Sequence, residues 1–213
     1  MIKITLPDGN VREFKAGVTG MEIAEAISSR LAREVLSVSV NGEVWDLGRP
    51  ITADALVKLY TWEEREGKET FWHTSAHLMA QAIEEFYPGT LFGIGPTVDN
   101  GFYYDIDLPG GQQLSEKELE KIEKRMMERS REKQPVVRQS ISKAEAIRLF
   151  TEKGDPLKLE LISELEDGTI TLYSQGQFTD LCRGPHLPDT GYIKAVKLTA
   201  IAGSIERRLG RAE

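Results

Sequence analysis

The chain of 213 residues is long enough for one large domain or two smaller ones, and its 40% hydrophobic content suffices for a real core. Its 27 basic and 34 acidic residues leave a formal charge of -7, so no overall positive field draws in nucleic acid or anionic lipid, and any RNA contact has to use local patches. A single cysteine excludes an internal disulfide, and no run approaches the ~20 apolar residues of a bilayer span. The N-terminus opens on the strand-like Ile2-Lys-Ile-Thr-Leu6 instead of a leader, so a reducing cytoplasm and no membrane partner are expected.

In chain order, Ile2 to Leu6 and Val11 to Phe14 flank a Pro7-Asp-Gly-Asn10 turn and predict a hairpin. Thr19-Gly-Met-Glu22 has the capping-box form, and Ile23, Ala26, Ile27 and Leu31 supply the apolar stripe of the helix behind it. Strands at Val35 to Val40, ended by Asn41-Gly42, and at Ala55 to Tyr60 complete a β-β-α-β-β order, the pattern of a small β-grasp module. The charged stretch between Thr61 and Thr70 has no apolar periodicity and marks the expected domain boundary.

A second unit begins with a helix over Phe71 to Phe86, where Trp72, Met79, Ile83 and Phe86 recur at helical spacing while His73, His77 and Ala80 share another, smaller face. Turn-rich Gly93-Ile-Gly-Pro96 and Asp99-Asn-Gly101 lead to an aromatic strand at Phe102-Tyr-Tyr104. Ser115-Glu-Lys-Glu118 and Ser142-Lys-Ala-Glu145 cap two further helices, with a strand at Val136 to Ile141 between them. Strands are then expected at Leu157 to Ile162, Thr169 to Tyr173 and Tyr192 to Thr199, which makes the second unit α+β. Arg125, Arg129, Arg131 and Lys133 could form a phosphate-contacting stripe, but the interleaved Glu128 and Glu132 favour a solvated face.

All three histidines and the one cysteine fall into two equally spaced phrases, His73-Thr-Ser-Ala-His77 and Cys182-Arg-Gly-Pro-His186. Each residue alone fits a hydrogen-bonded core histidine or an inert buried thiol. Together, exhausting the chain's supply, they point to a shared site for a transition metal or for proton transfer near neutral pH. The phrases lie more than a hundred residues apart, so only tertiary folding can join them. A metalloprotease is excluded because Thr74 stands where His-Glu-x-x-His requires its glutamate base.

These phrases also carry a family resemblance. Trp72 followed by His73-x-x-x-His77, Ile94-Gly-Pro96 with Asp99-Asn-Gly-Phe-Tyr-Tyr-Asp105, and Phe178-Thr-Asp-Leu-Cys-Arg-Gly-Pro-His186 resemble the N-terminal part of a bacterial threonyl-tRNA synthetase. The resemblance implies an α+β architecture, with a ubiquitin-like TGS domain over residues 1–62 and an editing domain of the threonyl/alanyl type over residues 63–213. It implies hydrolysis of serine mischarged on threonine tRNA, with that tRNA and the remainder of the synthetase as partners. The domain that joins threonine to tRNA with ATP would lie outside this chain, leaving a fragment or a free-standing editing protein. Residues 204–213 depart from the family's usual continuation after Ala202-Gly203 and are given no role.

Ester hydrolysis needs a base for water and a donor for the oxyanion. His73 or His186 supplies the first. The resemblance adds Lys158, in Pro156-Leu-Lys-Leu-Glu160, to stabilise charge on the ester, and Tyr104 and Asp180 to fix substrate or water, with Asp180 on the ammonium group. The plainer alternatives are a surface cation for Lys158 and a turn cap for Asp180. A synthetic pocket separates serine from threonine by only ~10 to 200-fold on one methyl, so a second site with a tight wall is expected to admit serine alone. His73, His77, Cys182 and His186 could also complete a zinc site, but four protein ligands leave no open position and would make it structural. The resemblance implies editing on ordered water without a required cofactor, with zinc an open alternative. The non-enzymatic alternative is a tRNA-binding or regulatory module whose His/Cys cluster is a structural metal clamp.

Overall fold

The computed structural model describes residues 1–202; the divergent residues 204–213 lie outside them. The N-terminal strands are β1 (Ile2–Thr5), β2 (Val11–Phe14), β3 (Val18–Thr19), β4 (Ser37–Val40), β5 (Glu43–Trp45), β6 (Pro50–Ile51) and β7 (Ala55–Tyr60), with helices α1 (Gly20–Ile27) and α2 (Ser29–Glu34) before β4. Five strands form one sheet in the order β2-β1-β7-β4-β5, in which β1 and β7 run parallel and the other pairs antiparallel. That is the β-grasp plan, with β3 and β6 added as a small side pair. The α1 capping box is present: Thr19 Oγ1 accepts from the Glu22 amide at 3.2 Å, and the Glu22 carboxylate accepts from the Thr19 amide at 2.8 Å. Ile23 and Ala24 of α1 are buried with Ile4, Val38, Leu47 and Val57 in one core.

The second unit hangs on α3 (Arg65–Phe86), which starts six residues before the expected Phe71. The charged stretch is therefore largely helical: the Glu64 carboxylate accepts from the Thr61 amide at 2.8 Å, and Arg65 pairs with Glu69 one turn on at 2.7 Å. Charge hides amphipathic periodicity without opposing the helix. Two short antiparallel pairs follow, β8 (Leu91–Phe92) with β11 (Ile106–Asp107), enclosing the hairpin of β9 (Thr97–Val98) with β10 (Gly101–Phe102). The aromatic strand is thus only two residues long, and Tyr104 lies beyond it.

Helix α4 (Glu116–Arg131) and α5 (Lys143–Glu152) follow their predicted Ser115 and Ser142 capping boxes. Ile122 and Met126 of α4 join Leu78, Ala82 and Ile83 of α3 in a second core. Arg125 and Arg129 are bound to Glu85 of α3, to Glu128 of their own helix and to Glu132 just past its end, so these two arginines staple helices together and are not a free phosphate stripe. Strands β12 (Val137–Ser140), β13 (Thr171–Gln175) and β14 (Phe178–Leu181) form an antiparallel sheet over a third core with α5 and α6 (Pro156–Glu164).

Two expected strands are absent. Leu157 to Ile162 lies in α6, because Asp155 caps the Lys158 amide at 3.0 Å and Pro156 occupies the first helical position. Alternating leucines imitated a strand. Tyr192 to Thr199 finds no strand partner; a single 3-10 turn covers Thr190–Tyr192, and the Leu198 amide is held instead by Glu123 of α4 at 2.7 Å.

Candidate active site

Helical spacing puts His73 and His77 one turn apart on α3, and β14 delivers Cys182 opposite them. One ligand atom from each of His73, His77, Cys182 and His186 lies within 4.8 Å of the others. Cys182 Sγ stands 3.2 Å from His73 Nε2 and 3.2 Å from His186 Nε2, and the His186 ring packs 4.2 Å from that of His73 and 4.3 Å from that of His77. The loop between cysteine and histidine is fixed by the Gly184 amide, which donates to Cys182 Sγ at 3.3 Å. Gly184 has φ +75°, and a Cβ there would fall 2.1 Å from the Tyr173 hydroxyl, so this position admits no other residue without movement.

Hydrogen bonding sets the tautomers. Thr74 Oγ1 donates to the Thr70 carbonyl at 3.0 Å and accepts from the Leu187 amide at 2.9 Å. Its remaining lone pair meets His186 Nδ1 at 3.1 Å, so Nδ1 carries the proton and Nε2 offers a lone pair to the thiol. The Pro185 carbonyl beside the His73 ring favours its protonated form against burial, and His73 Nε2 faces sulfur. The Cys182 sulfur thus lies within hydrogen-bond reach of two imidazole nitrogens.

Beside this cluster stands a buried ion pair. Lys158 is 3% exposed; its Nζ lies 2.9 Å from the Gly93 carbonyl and 3.0 and 3.1 Å from the two oxygens of Asp180. The Tyr104 hydroxyl donates to Asp180 Oδ2 at 2.7 Å. Lys158 faces inward because α6 is a helix, whose four-residue spacing sets it with buried Ile162. Tyr104 is seated on Gly95, where a Cβ would come within 2.6 Å of its ring. The surface-cation and turn-cap alternatives for Lys158 and Asp180 do not hold.

Burial governs the protonation states. It pushes the pKa of His73 down, and those of His77 and His186 well below 6.5, the last two also by mutual repulsion among the imidazoles. The Cys182 thiol is pushed up to about 12, again by burial. Near neutral pH the centre therefore holds three neutral imidazoles and a protonated thiol. Burial and the neighbouring Asp180 carboxylate raise the Tyr104 phenol well above its usual value and keep it a donor. The cluster reaches the surface at His73 and Cys182, while His77 and His186 are 2% and 1% exposed.

The seven sequence-predicted residues thus fall into two adjoining groups, His73, His77, Cys182 and His186 beside Tyr104, Lys158 and Asp180, with the His77 ring 6.3 Å from that of Tyr104. The four His/Cys donors could hold a metal ion, and such an ion would have every tetrahedral position filled by protein. Three neighbours escaped the sequence: Thr74, Tyr173 and Asp46. Tyr173 packs its ring 4.5 Å from that of His186 and donates to the Asp46 carboxylate at 2.7 Å. Asp46 also accepts from the His186 amide at 2.6 Å, across a separation of 140 residues that no local pattern encodes.

Residues 2–61 match the TGS domain family, and residues 170–210 match the family described as the threonyl and alanyl tRNA synthetase second additional domain. Proteins named threonine–tRNA ligase are 59% identical over 207 residues in Porphyromonas gingivalis strain ATCC 33277, 60% in Parabacteroides distasonis and 56% in Cytophaga hutchinsonii. Each alignment covers 97% of this chain and 32% of the relative, so the chain spans about a third of the length of these proteins.

Proposed function

We propose that this chain, which carries a TGS domain and a threonyl/alanyl-type second additional domain and is homologous to the N-terminal region of bacterial threonine–tRNA ligases, is a proofreading unit. Its substrate in this reading is threonine tRNA mischarged with serine, and its partner is the remainder of a synthetase. The division falls into residues 1–62 and 63–213, in the cytoplasm.

The observation that carries this reading is the convergence of four proton-handling side chains on a buried Lys158–Asp180–Tyr104 group. Water attacks the acyl carbonyl, and His73, the histidine nearest the surface, accepts its proton through Nε2. The thiol lies 3.2 Å from both His186 Nε2 and His73 Nε2; in this scheme its proton goes to His186 and His73 serves the water. A thiol pushed up to about 12 stays protonated, and so favours a hydrogen-bonding role over a nucleophilic one. Lys158 meets the Gly93 carbonyl and both Asp180 oxygens, and in this scheme its positive charge stabilises the developing oxyanion. Asp180 takes the substrate ammonium alongside Lys158 and Tyr104. Editing in this scheme requires no metal. A zinc ion on the four donors would tie α3 to the Cys182–His186 loop as a structural clamp.

That donor set favours one second reading, a non-catalytic tRNA-binding module with a structural metal. Replacing His73 or Lys158 by alanine separates the two: proofreading predicts deacylation of seryl-tRNA slowed ~100-fold or more, within the range of a lost acid–base or oxyanion group. Unchanged rates in either variant remove that residue from the mechanism. Retained tRNA binding with no ester loss in the unaltered protein supports the second reading.

A further inference from the structure

The structure assigns to Asp46, a residue of the N-terminal unit, the positioning of His186 in the catalytic cluster of the second unit. Asp46 follows β5 in the turn closed by the Arg49 amide on its own carbonyl at 3.1 Å. Its two carboxylate oxygens are divided between two parts of the same histidine's setting. Oδ1 accepts from the His186 main-chain amide at 2.6 Å, and Oδ2 accepts from Tyr173, whose ring forms one wall against the imidazole. Apart from Cys182 on Nε2, the other constraints on that ring come from α3: Thr74 on Nδ1, and the His73 and His77 rings. Without Asp46 the main chain at His186 and the Tyr173 hydroxyl would lose their hydrogen bonds to the N-terminal unit among the described residues, while the α3 side stays in place.

Two observations separate positioning from mere docking. Asp46 bonds the catalytic phrase itself and not a distant surface, and its second partner, Tyr173, sits directly opposite Asp180 on β13 and β14. One cross-strand pair thereby braces both halves of the site, with Tyr173 supporting His186 and Asp180 holding Lys158. The N-terminal unit then contributes to the competence of the site without touching the substrate.

The test uses the full chain with Asp46→Ala, Asp46→Asn and Tyr173→Phe. Asparagine can accept from His186 through its oxygen and donate to the Tyr173 oxygen through its amide, so it rescues a positioning role. Cys182 is the sole cysteine, and its alkylation by iodoacetamide reports the loop directly. Asp46→Ala is expected to speed alkylation about tenfold, move the His186 amide and ring nitrogen resonances, and lower kcat for seryl-tRNA about tenfold or more with KM within about twofold, as small misplacements do. Asp46→Asn stays within about threefold of the parent on each measure. Tyr173→Phe moves the ring resonances.

The kinetic arm rests on the proofreading reading, but alkylation and resonance do not. A parent protein without deacylase activity would defeat that reading and leave this inference to the other two measurements. A folded Asp46→Ala protein with unchanged His186 resonances and alkylation rate overturns it. If that variant does not fold, unmoved ring resonances in Tyr173→Phe overturn it instead.

Discussion

One hydroxyl, that of Thr74, decides which nitrogen of His186 faces the thiol, because its single proton is committed to the Thr70 carbonyl. Burial keeps the three imidazoles neutral, and neutrality has a measurable cost in acid. His77 and His186 have folded pKa values well below 6.5, so below that pH the unfolded chain binds protons that the folded one refuses. Their contribution is intact above pH 6.5 and is lost as pH falls, at up to ~1.4 kcal/mol per pH unit for each histidine. Buried Asp46 and Glu84, with raised carboxyl pKa values, work in the opposite direction. Urea unfolding after chelator dialysis should therefore show stability dropping between pH 7 and pH 5, with a shallower slope when His77 is replaced by alanine. Equal slopes would contradict the neutral cluster.

Also at residue scale, Gly184→Ala meets both a left-handed backbone and the Tyr173 hydroxyl, whereas Gly168→Ala, at φ +87°, has nothing within 4 Å. The first should cost at least ~2 kcal/mol by denaturant titration and the second ~1 kcal/mol. Equal costs would mean that the loop yields freely. The seven site residues were legible because scarce His and Cys mark themselves and the family phrases supply the rest. Thr74, Tyr173 and Asp46 were not, since a threonine, a tyrosine and an aspartate become informative only through the atoms they meet.

Among elements, α6 shows where patterning misleads. Leu157, Leu159 and Leu161 alternate as in a strand, yet the Asp155-Pro156 start signal wins, and only a helix carries Lys158 to the buried side with Ile162. Asp155→Ala removes that cap and should lower stability by ~1 kcal/mol, with a parallel loss of deacylation because Lys158 stands on the first turn. Full activity in a destabilised variant would detach the lysine's placement from the cap. The three capping boxes were readable because each is a local bargain between four consecutive residues. The missing strand at Tyr192 to Thr199 was not, since its fate depended on Glu123, some seventy positions away.

For the whole molecule, the order of elements gave four of the five strands of the N-terminal sheet, missing β5, and the mixed second unit, while the meeting of the two units had no local signature. It rests on contacts such as Asp46 with His186 and Tyr173, formed only when both units are folded. Among the described residues no helix is long and apolar enough to cross a membrane. The site draws its parts from α3, α6, β14 and the loops at Tyr104 and His186, so its chemistry belongs to the assembled fold. The most direct measurement is ester loss from seryl-tRNA and threonyl-tRNA, incubated side by side with the purified chain and made on the same threonine tRNA. Rapid release of serine with threonine left in place is the predicted result; both esters surviving, or both released equally, would contradict a serine-selective editing centre.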